Sequence, residues 1–310
     1  MKKLDFLSQV NNIKEQVSFS ASFKKGNYRF VLVAGMGGSG VSGRIFSELC
    51  TKLHITVIDS YSLPEYVDES YFIICVSYSG NTEETISVAN MAHNRGFKVH
   101  AITTGGKLKS IADEVIEIPG GLQPRQALGY LLMPMINTFM GISDSERKKI
   151  TDSLEFVNIG EVKKLAEQIA LSGKIPYVIS WEPYASMSYR TKTQFNENSK
   201  LPAINHVLSE QNHNELVPLS VNEKMKNSFF YISIDGDHNS RNQRRMDIME
   251  KKSGIRFHHI VPKGDSYLAR YFYLIHFIDL LTYYTGIGLK FEPEDVGVLE
   301  TLKKELAGII

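Results

Sequence analysis

Five short apolar runs recur through the first part of the chain: RFVLVAG (29–35), HITVIDS (54–60), YFIICVSYSG (71–80), KVHAITTGG (98–106) and EVIEIP (114–119). They are rich in β-branched residues and apolar at successive positions rather than at alternate ones. A strand with one wet face alternates. A strand covered on both faces does not, and such strands belong to a parallel sheet layered between helices. Helical patterns fall between the runs, near 41–52, 82–96 and 125–143. A chain that alternates in this way is confined to an α/β sandwich.

The alternation resumes later, at KIPYVISW (174–181), FFYISID (229–235) and IRFHHIVP (255–262), with AINHVL (203–208) also strand-like. Helices are predicted over 158–172, 184–199, 240–253, 265–285 and 294–308, and an amphipathic helix over 4–24 precedes the first strand. Two α-β-α sandwich units with parallel sheets are therefore expected. The polar stretch GISDSERKKITDSL (142–155) is the best linker candidate, which divides the chain into 1–150 and 151–310. A length of 310 residues suits two domains. The halves look alike as units, but their sequences are too degenerate to prove a duplication.

Charge narrows the function. Thirty-five Lys and Arg stand against 34 Asp and Glu, a formal net charge of +1. That balance offers no electrostatic case for a nucleic acid or an anionic membrane as partner. Cys50 and Cys75 lie in apolar runs and read as buried reduced thiols. The opening MKKLDFLSQVNNIKEQ has charges where a secretory signal needs an apolar segment, and no apolar run is long enough to span a membrane. A soluble cytoplasmic protein is expected. The nine histidines show no metal-binding spacing, so neither a metal nor another cofactor is expected. His238, in a polar stretch, reads as exposed.

The first strand runs into GMGGSGVSG (35–43). Glycines after a buried strand let backbone amides approach an anion, and a helix opening there, near Val41, turns its N–H groups and positive dipole end toward it. Gly35, Gly37 and Gly40 also match the dinucleotide pattern, and Asp59 is well placed to hold an adenosine ribose. A purely structural turn is the third reading. The loop SYSGNTEET (77–85) argues against the dinucleotide. It too follows a buried strand and opens a helix, and it presents Ser77, Ser79 and Thr82 together. Ordinary capping accounts for one of these hydroxyls, that of Thr82. Two such loops at adjacent strand ends suit a single phosphomonoester.

GMGGSGVSG followed by VSYSGNTEET resembles the sugar isomerase (SIS) domain. QPRQALGY (123–130), FNENSK (195–200) and EQNHNEL (210–216), in that order, resemble the bifunctional phosphoglucose/phosphomannose isomerase family. The resemblance spans about residues 30–285. It implies two SIS-type, flavodoxin-like domains and a homodimer. It also implies an aldose–ketose isomerase that interconverts glucose 6-phosphate, or mannose 6-phosphate, with fructose 6-phosphate, needing neither metal nor redox cofactor. It puts the phosphate on Gly38, Ser39, Ser77, Ser79 and Thr82. Arg125 becomes an active-site cation, Glu197 the proton-transferring carboxylate, and His213 the ring-opening imidazole, supplied by the neighbouring subunit.

The residue types fit that chemistry. A carboxylate can carry a proton between C1 and C2 of a cis-enediol, a neutral imidazole can exchange ring-oxygen and O1 protons, and a permanent cation can hold the enediolate charge. Read singly, Glu197 is a solvated helix-end carboxylate and Arg125 a surface arginine. The aromatics of RYFYLIHFIDLLTYYTG (270–286) are core packing. Thr282 is the exception: the resemblance implies a small hydroxyl residue on this helix that lines the active site, binds the substrate there and admits either C2 epimer, and Thr285 on the same face is an equal candidate. YYTGIGL (283–289) departs from a more aliphatic family pattern, which bears on mannose activity more than on glucose activity. A non-catalytic phosphosugar sensor, an isomerase of another sugar or aminosugar phosphate, and a nicotinamide-dependent oxidoreductase are the competing functions.

Overall fold

A computed structural model describes residues 4–236 and 240–307, and His238 lies outside them. The apolar runs form strands β1 (Phe30–Ala34), β2 (His54–Ile58), β3 (Tyr71–Val76), β4 (Val99–Thr103) and β5 (Glu114–Glu117). All pair in parallel, in the order β2-β1-β3-β4-β5. The second half supplies β6 (Ile175–Ser180), β7 (Ile204–Val207), β8 (Phe229–Ile234) and β9 (His258–Ile260), again parallel, in the order β7-β6-β8-β9. Read within each half, both sheets start 2-1-3-4, the flavodoxin-like order. The expected α/β fold with two parallel sheets is present.

Central strands are wrapped on both faces, as their unbroken apolarity requires. Phe72, Ile74 and Val76 of β3 face one cluster, with Val41, Ile45 and Leu131 from helices Gly37–Leu49 and Leu128–Phe139. Ile73 and Cys75 face the other, with Ala89 and Ala92 from helix Glu83–Asn94. The first cluster continues without a break into Val178 and Ile232 of the second sheet, by way of Leu274 and Ile278 on helix Tyr267–Gly288. The inner faces of both halves are thus buried in one core.

The structure differs from expectation in three places. The polar stretch 142–155 is not an irregular linker but a helix, Asp144–Leu154, capped by the Ser143 hydroxyl. Its composition is that of a surface helix, whose buried face is Ile150, Ser153 and Leu154. The helix expected over 4–24 breaks into Phe6–Asn11 and Ile13–Val17. Beyond it Asn137 donates to the carbonyls of Phe19 and Ala21, and Thr138 accepts from the N–H of Phe23, so the backbone there is satisfied without a helix. Helix Gly37–Leu49 begins within the glycines rather than near Val41.

Candidate functional site

Strand order reverses between β1 and β3, and the loops leaving their carboxyl ends lie side by side, where open α/β sheets bind ligands. The glycines make the packing possible. A Cβ on Gly35 would stand 2.9 Å from the Val76 carbonyl oxygen, and one on Gly40 would stand 2.6 Å from that of Gly35. Helix Gly37–Leu49 therefore starts pressed against the turn, with Met36 extended at its N-cap and no side chain capping it. Ser39 is buried in its first turn.

In the second loop the hydroxyls of Ser77 and Thr82 are 2.8 Å apart, and the Ser77 hydroxyl accepts from the N–H of Gly80 at 3.1 Å. Thr82 occupies the N-cap of helix Glu83–Asn94, yet its side chain makes no capping bond. The expectation that capping accounts for Thr82 is corrected: its hydroxyl faces Ser77 instead. Ser79 is exposed and accepts from the N–H of Asn81 at 3.2 Å. Asp59, which a dinucleotide would need for its ribose, pairs with Arg44 at 2.7 Å.

Arg125 links these loops to the second half. It lies in the 3-10 turn Pro124–Gln126, and a Cβ on Gly38 would stand 3.3 Å from the Pro124 carbonyl oxygen and 3.4 Å from the Arg125 Cα. The guanidinium is buried. Its Nε donates to Asn198 Oδ1 at 2.7 Å and its Nη2 to the Pro293 carbonyl at 2.7 Å. Its Nη1 reaches Gln123 Oε1 at 3.2 Å and Glu197 Oε2 at 3.3 Å. Burial pushes the Arg125 pKa down, against the opposing pull of Glu197, Asp279 and Glu294. Glu197 sits in the last turn of helix Ala185–Asn198 with its side chain one-third exposed (32%), open enough to meet a ligand. Lys200 Nζ donates to the Glu197 carbonyl at 2.6 Å and to the Pro293 carbonyl at 3.0 Å, and burial, then Arg125, hold its pKa down.

Thr282 is buried; its hydroxyl accepts from Asn198 Nδ2 at 3.0 Å. Thr285 is buried too, but its hydroxyl bonds back to the Leu281 carbonyl at 2.8 Å. His213 stands apart, exposed on the short helix Gln211–Asn214 that follows β7. The structure thus brings Gly38, Arg125, Glu197 and Thr282 into one connected region and sets Ser39, Ser77, Ser79 and Thr82 on the two neighbouring loops, while His213 is exposed on the helix that follows β7.

Sequence reasoning missed the supports. Arg190, buried, holds Asp279 through Nη2 at 2.6 and 2.8 Å and reaches the Arg125 carbonyl at 3.3 Å. Gln194 Nε2 donates to the same carboxylate at 2.5 Å. Desolvation raises the Asp279 pKa, opposed first by Arg190. A lone acid in the apolar run YFYLIHFIDLL was the available signal, because such a group needs a buried donor set. Among the described residues no cluster of His, Cys, Asp and Glu could hold a metal ion, and no helix is long and apolar enough to cross a membrane.

Comparison with known proteins decides the family. The chain is 41% identical over 306 residues to a bifunctional phosphoglucose/phosphomannose isomerase of Thermoplasma acidophilum, covering 98% of both chains. The chain belongs to the bifunctional phosphoglucose/phosphomannose isomerase family. A Thermoplasma volcanium member is 42% identical over 98% of this chain and 100% of its own. Residues 159–306 match the model of the bacterial phospho-glucose isomerase C-terminal SIS domain. The fold is also that of the C-terminal domain of glucosamine-fructose-6-phosphate aminotransferase from Francisella tularensis, with a TM-score of 0.71 at 13% identity over 92% of this chain and 95% of that one. In this member of the family the carboxylate–guanidinium pair of Glu197 and Arg125 stands beside the glycine loop at Gly38.

Proposed function

We propose that the protein interconverts glucose 6-phosphate, and mannose 6-phosphate, with fructose 6-phosphate by proton transfer through a cis-enediol. The observation that carries this reading is the contact of Glu197 with Arg125 at 3.3 Å, on a turn that touches the glycine loop at Gly38. An acid–base group, a cation and an anion cradle are thereby joined.

The phosphate binds the loops at Gly38, Ser39, Ser77, Ser79 and Thr82. The protein acts as a homodimer in the cytoplasm, and His213 of a second copy opens the sugar ring; its exposure in the single chain supports that role. In the open-chain ketose, Glu197 takes the proton from C1 and returns it to C2, while the hydroxyl proton passes between O2 and O1. Arg125 holds the enediolate oxygen as charge develops there. Thr282, rather than Thr285, serves epimer tolerance, because its hydroxyl belongs to the Arg125 network. The chain divides near residue 150 into the phosphate-binding half and the half that carries Glu197.

The test is turnover of fructose 6-phosphate by the purified protein, with glucose 6-phosphate and mannose 6-phosphate quantified separately. Both products are expected. No product, with fructose 6-phosphate still raising the melting temperature, would replace the enzyme by a sensor. Stabilisation by NAD and not by the sugar phosphate would revive the dinucleotide.

A further inference from the structure

The side-chain amide of Asn198 stands between Arg125 and Thr282, and chemistry alone sets the direction of each bond. A guanidinium only donates. The Asn198 atom 2.7 Å from Arg125 Nε is therefore the oxygen, and the NH2 faces Thr282 Oγ1 at 3.0 Å. Thr282 must then accept from Asn198 and turn its own proton to the Ile278 carbonyl at 2.8 Å. Asn198 and Thr282 are fully buried, so water replaces none of these partners. The helices that carry them meet closely: a Cβ on Gly286 would stand 2.4 Å from the Asn198 carbonyl oxygen.

Arg125 has two short bonds, from Nε to Asn198 and from Nη2 to the Pro293 carbonyl, both 2.7 Å. Those to Gln123 and Glu197 are longer, at 3.2 and 3.3 Å. Two short bonds from different nitrogens fix the plane of a guanidinium; one leaves it free to swing. We propose that Asn198 is a positioning residue that sets the plane of Arg125 against Glu197 and passes to it the identity of the side chain at 282. The inference rests on the isomerase reading. Under it, residue 282 acts on the reacting carbons through Asn198 and Arg125, without touching the sugar.

The test is steady-state kinetics on fructose 6-phosphate with product ratios. Wild-type turnover comes first, and its absence would defeat the isomerase reading before any variant is made. In an active enzyme, Asn198→Ala should lower kcat roughly ten- to a hundred-fold, the scale of a misplaced catalytic group, with KM changed less than about threefold. Thr282→Val should lower kcat similarly and shift the glucose 6-phosphate to mannose 6-phosphate ratio as Asn198→Ala does, whereas Thr282→Ser, which keeps the hydroxyl, should hold both near their wild-type values. The double variant Asn198→Ala/Thr282→Val should lose no more than the worse single, because the two act as one unit. Multiplying losses, an unchanged kcat, or equal loss in kcat and substrate affinity overturns the proposal. Should Asn198→Ala fail to fold, Thr282→Val and Thr282→Ser decide it: equal activity in the two overturns it.

Discussion

The two halves use the same corner of the same fold in opposite ways. After β1 the chain turns through Gly35–Gly40 into helix Gly37–Leu49, whose N-cap residue, Met36, makes no side-chain capping bond. After β6, at the equivalent place, it turns through Trp181–Tyr184 into helix Ala185–Asn198. There the N-terminus is taken. Glu48 accepts from the Ser186 N–H at 2.6 Å and from its hydroxyl at 2.7 Å, and the Tyr271 hydroxyl also donates to Glu48. Trp181 and Tyr184 are fully buried, and a Cβ on Gly236, after β8, would stand 2.3 Å from Trp181 Cδ1. A helix N-terminus attracts an anion in either case. In the second half that attraction goes to the chain's own carboxylate; in the first, the proposed function gives it to the phosphate.

The two helices run antiparallel. The start of the first lies by Arg125 and the end of the second; the end of the first, at Glu48, lies by the start of the second. The helix pair therefore has an open end, where glycines meet Arg125 and Glu197, and a plugged end at Glu48. Under the proposed function, ligand binding falls to the first half and proton chemistry to the far end of the second half's helix, while the Glu48 corner holds the two helices together.

Glu197→Gln carries the largest expected effect. Loss of a general base costs about 10²- to 10⁴-fold in rate, so kcat should fall by that order while KM for fructose 6-phosphate stays within a few-fold. Ser77→Ala should do the reverse. A hydrogen bond to a charged group contributes about 1.5–3 kcal/mol, so KM should rise roughly tenfold or more with a smaller change in kcat. Steady-state kinetics on both variants test the division. Parallel losses of binding in the two would break it.

In both halves the strands could be read ahead of the structure, and the contacts between distant segments could not. Strands were legible because burial on both faces leaves continuous apolarity, and even the half-exposed edge strand Ile204–Val207 is strand-like in AINHVL. The stretch 142–155 misled because a surface helix with three buried residues has a linker's composition. The break after Val17 was invisible because its cause, Asn137 and Thr138, lies more than a hundred residues away. The residues that the proposed function uses were picked from their motifs. The links of Arg125 to Asn198, and of Asn198 to Thr282, were not, since each needs distant segments to meet. Nor was the plug: Glu48 reads as one more helix carboxylate until the second half folds onto it.

Glu48→Gln is the mildest change and the sharpest test of the plugged corner. Burial raises the pKa of Glu48, and the hydrogen bonds from Tyr271 and Ser186 pull it back only in part. A carboxyl whose folded pKa lies above its unfolded value stabilises the fold most at acid pH, and that contribution is lost as pH rises through the folded pKa. Each unit of such a shift corresponds to about 1.4 kcal/mol. Glutamine does not titrate, so the variant should gain stability relative to the wild type as pH climbs from the ordinary carboxylate range to neutrality. Its amide still accepts from Ser186 through one oxygen, so it should fold. Melting temperatures of both proteins across that range measure the difference, and parallel curves would mean that Glu48 does not titrate as its burial demands. Turnover, meanwhile, should be unchanged, because Glu48 lies at the opposite end of its helix from Gly38. A fall in kcat with the plug removed would mean that the two corners are coupled through the helix between them.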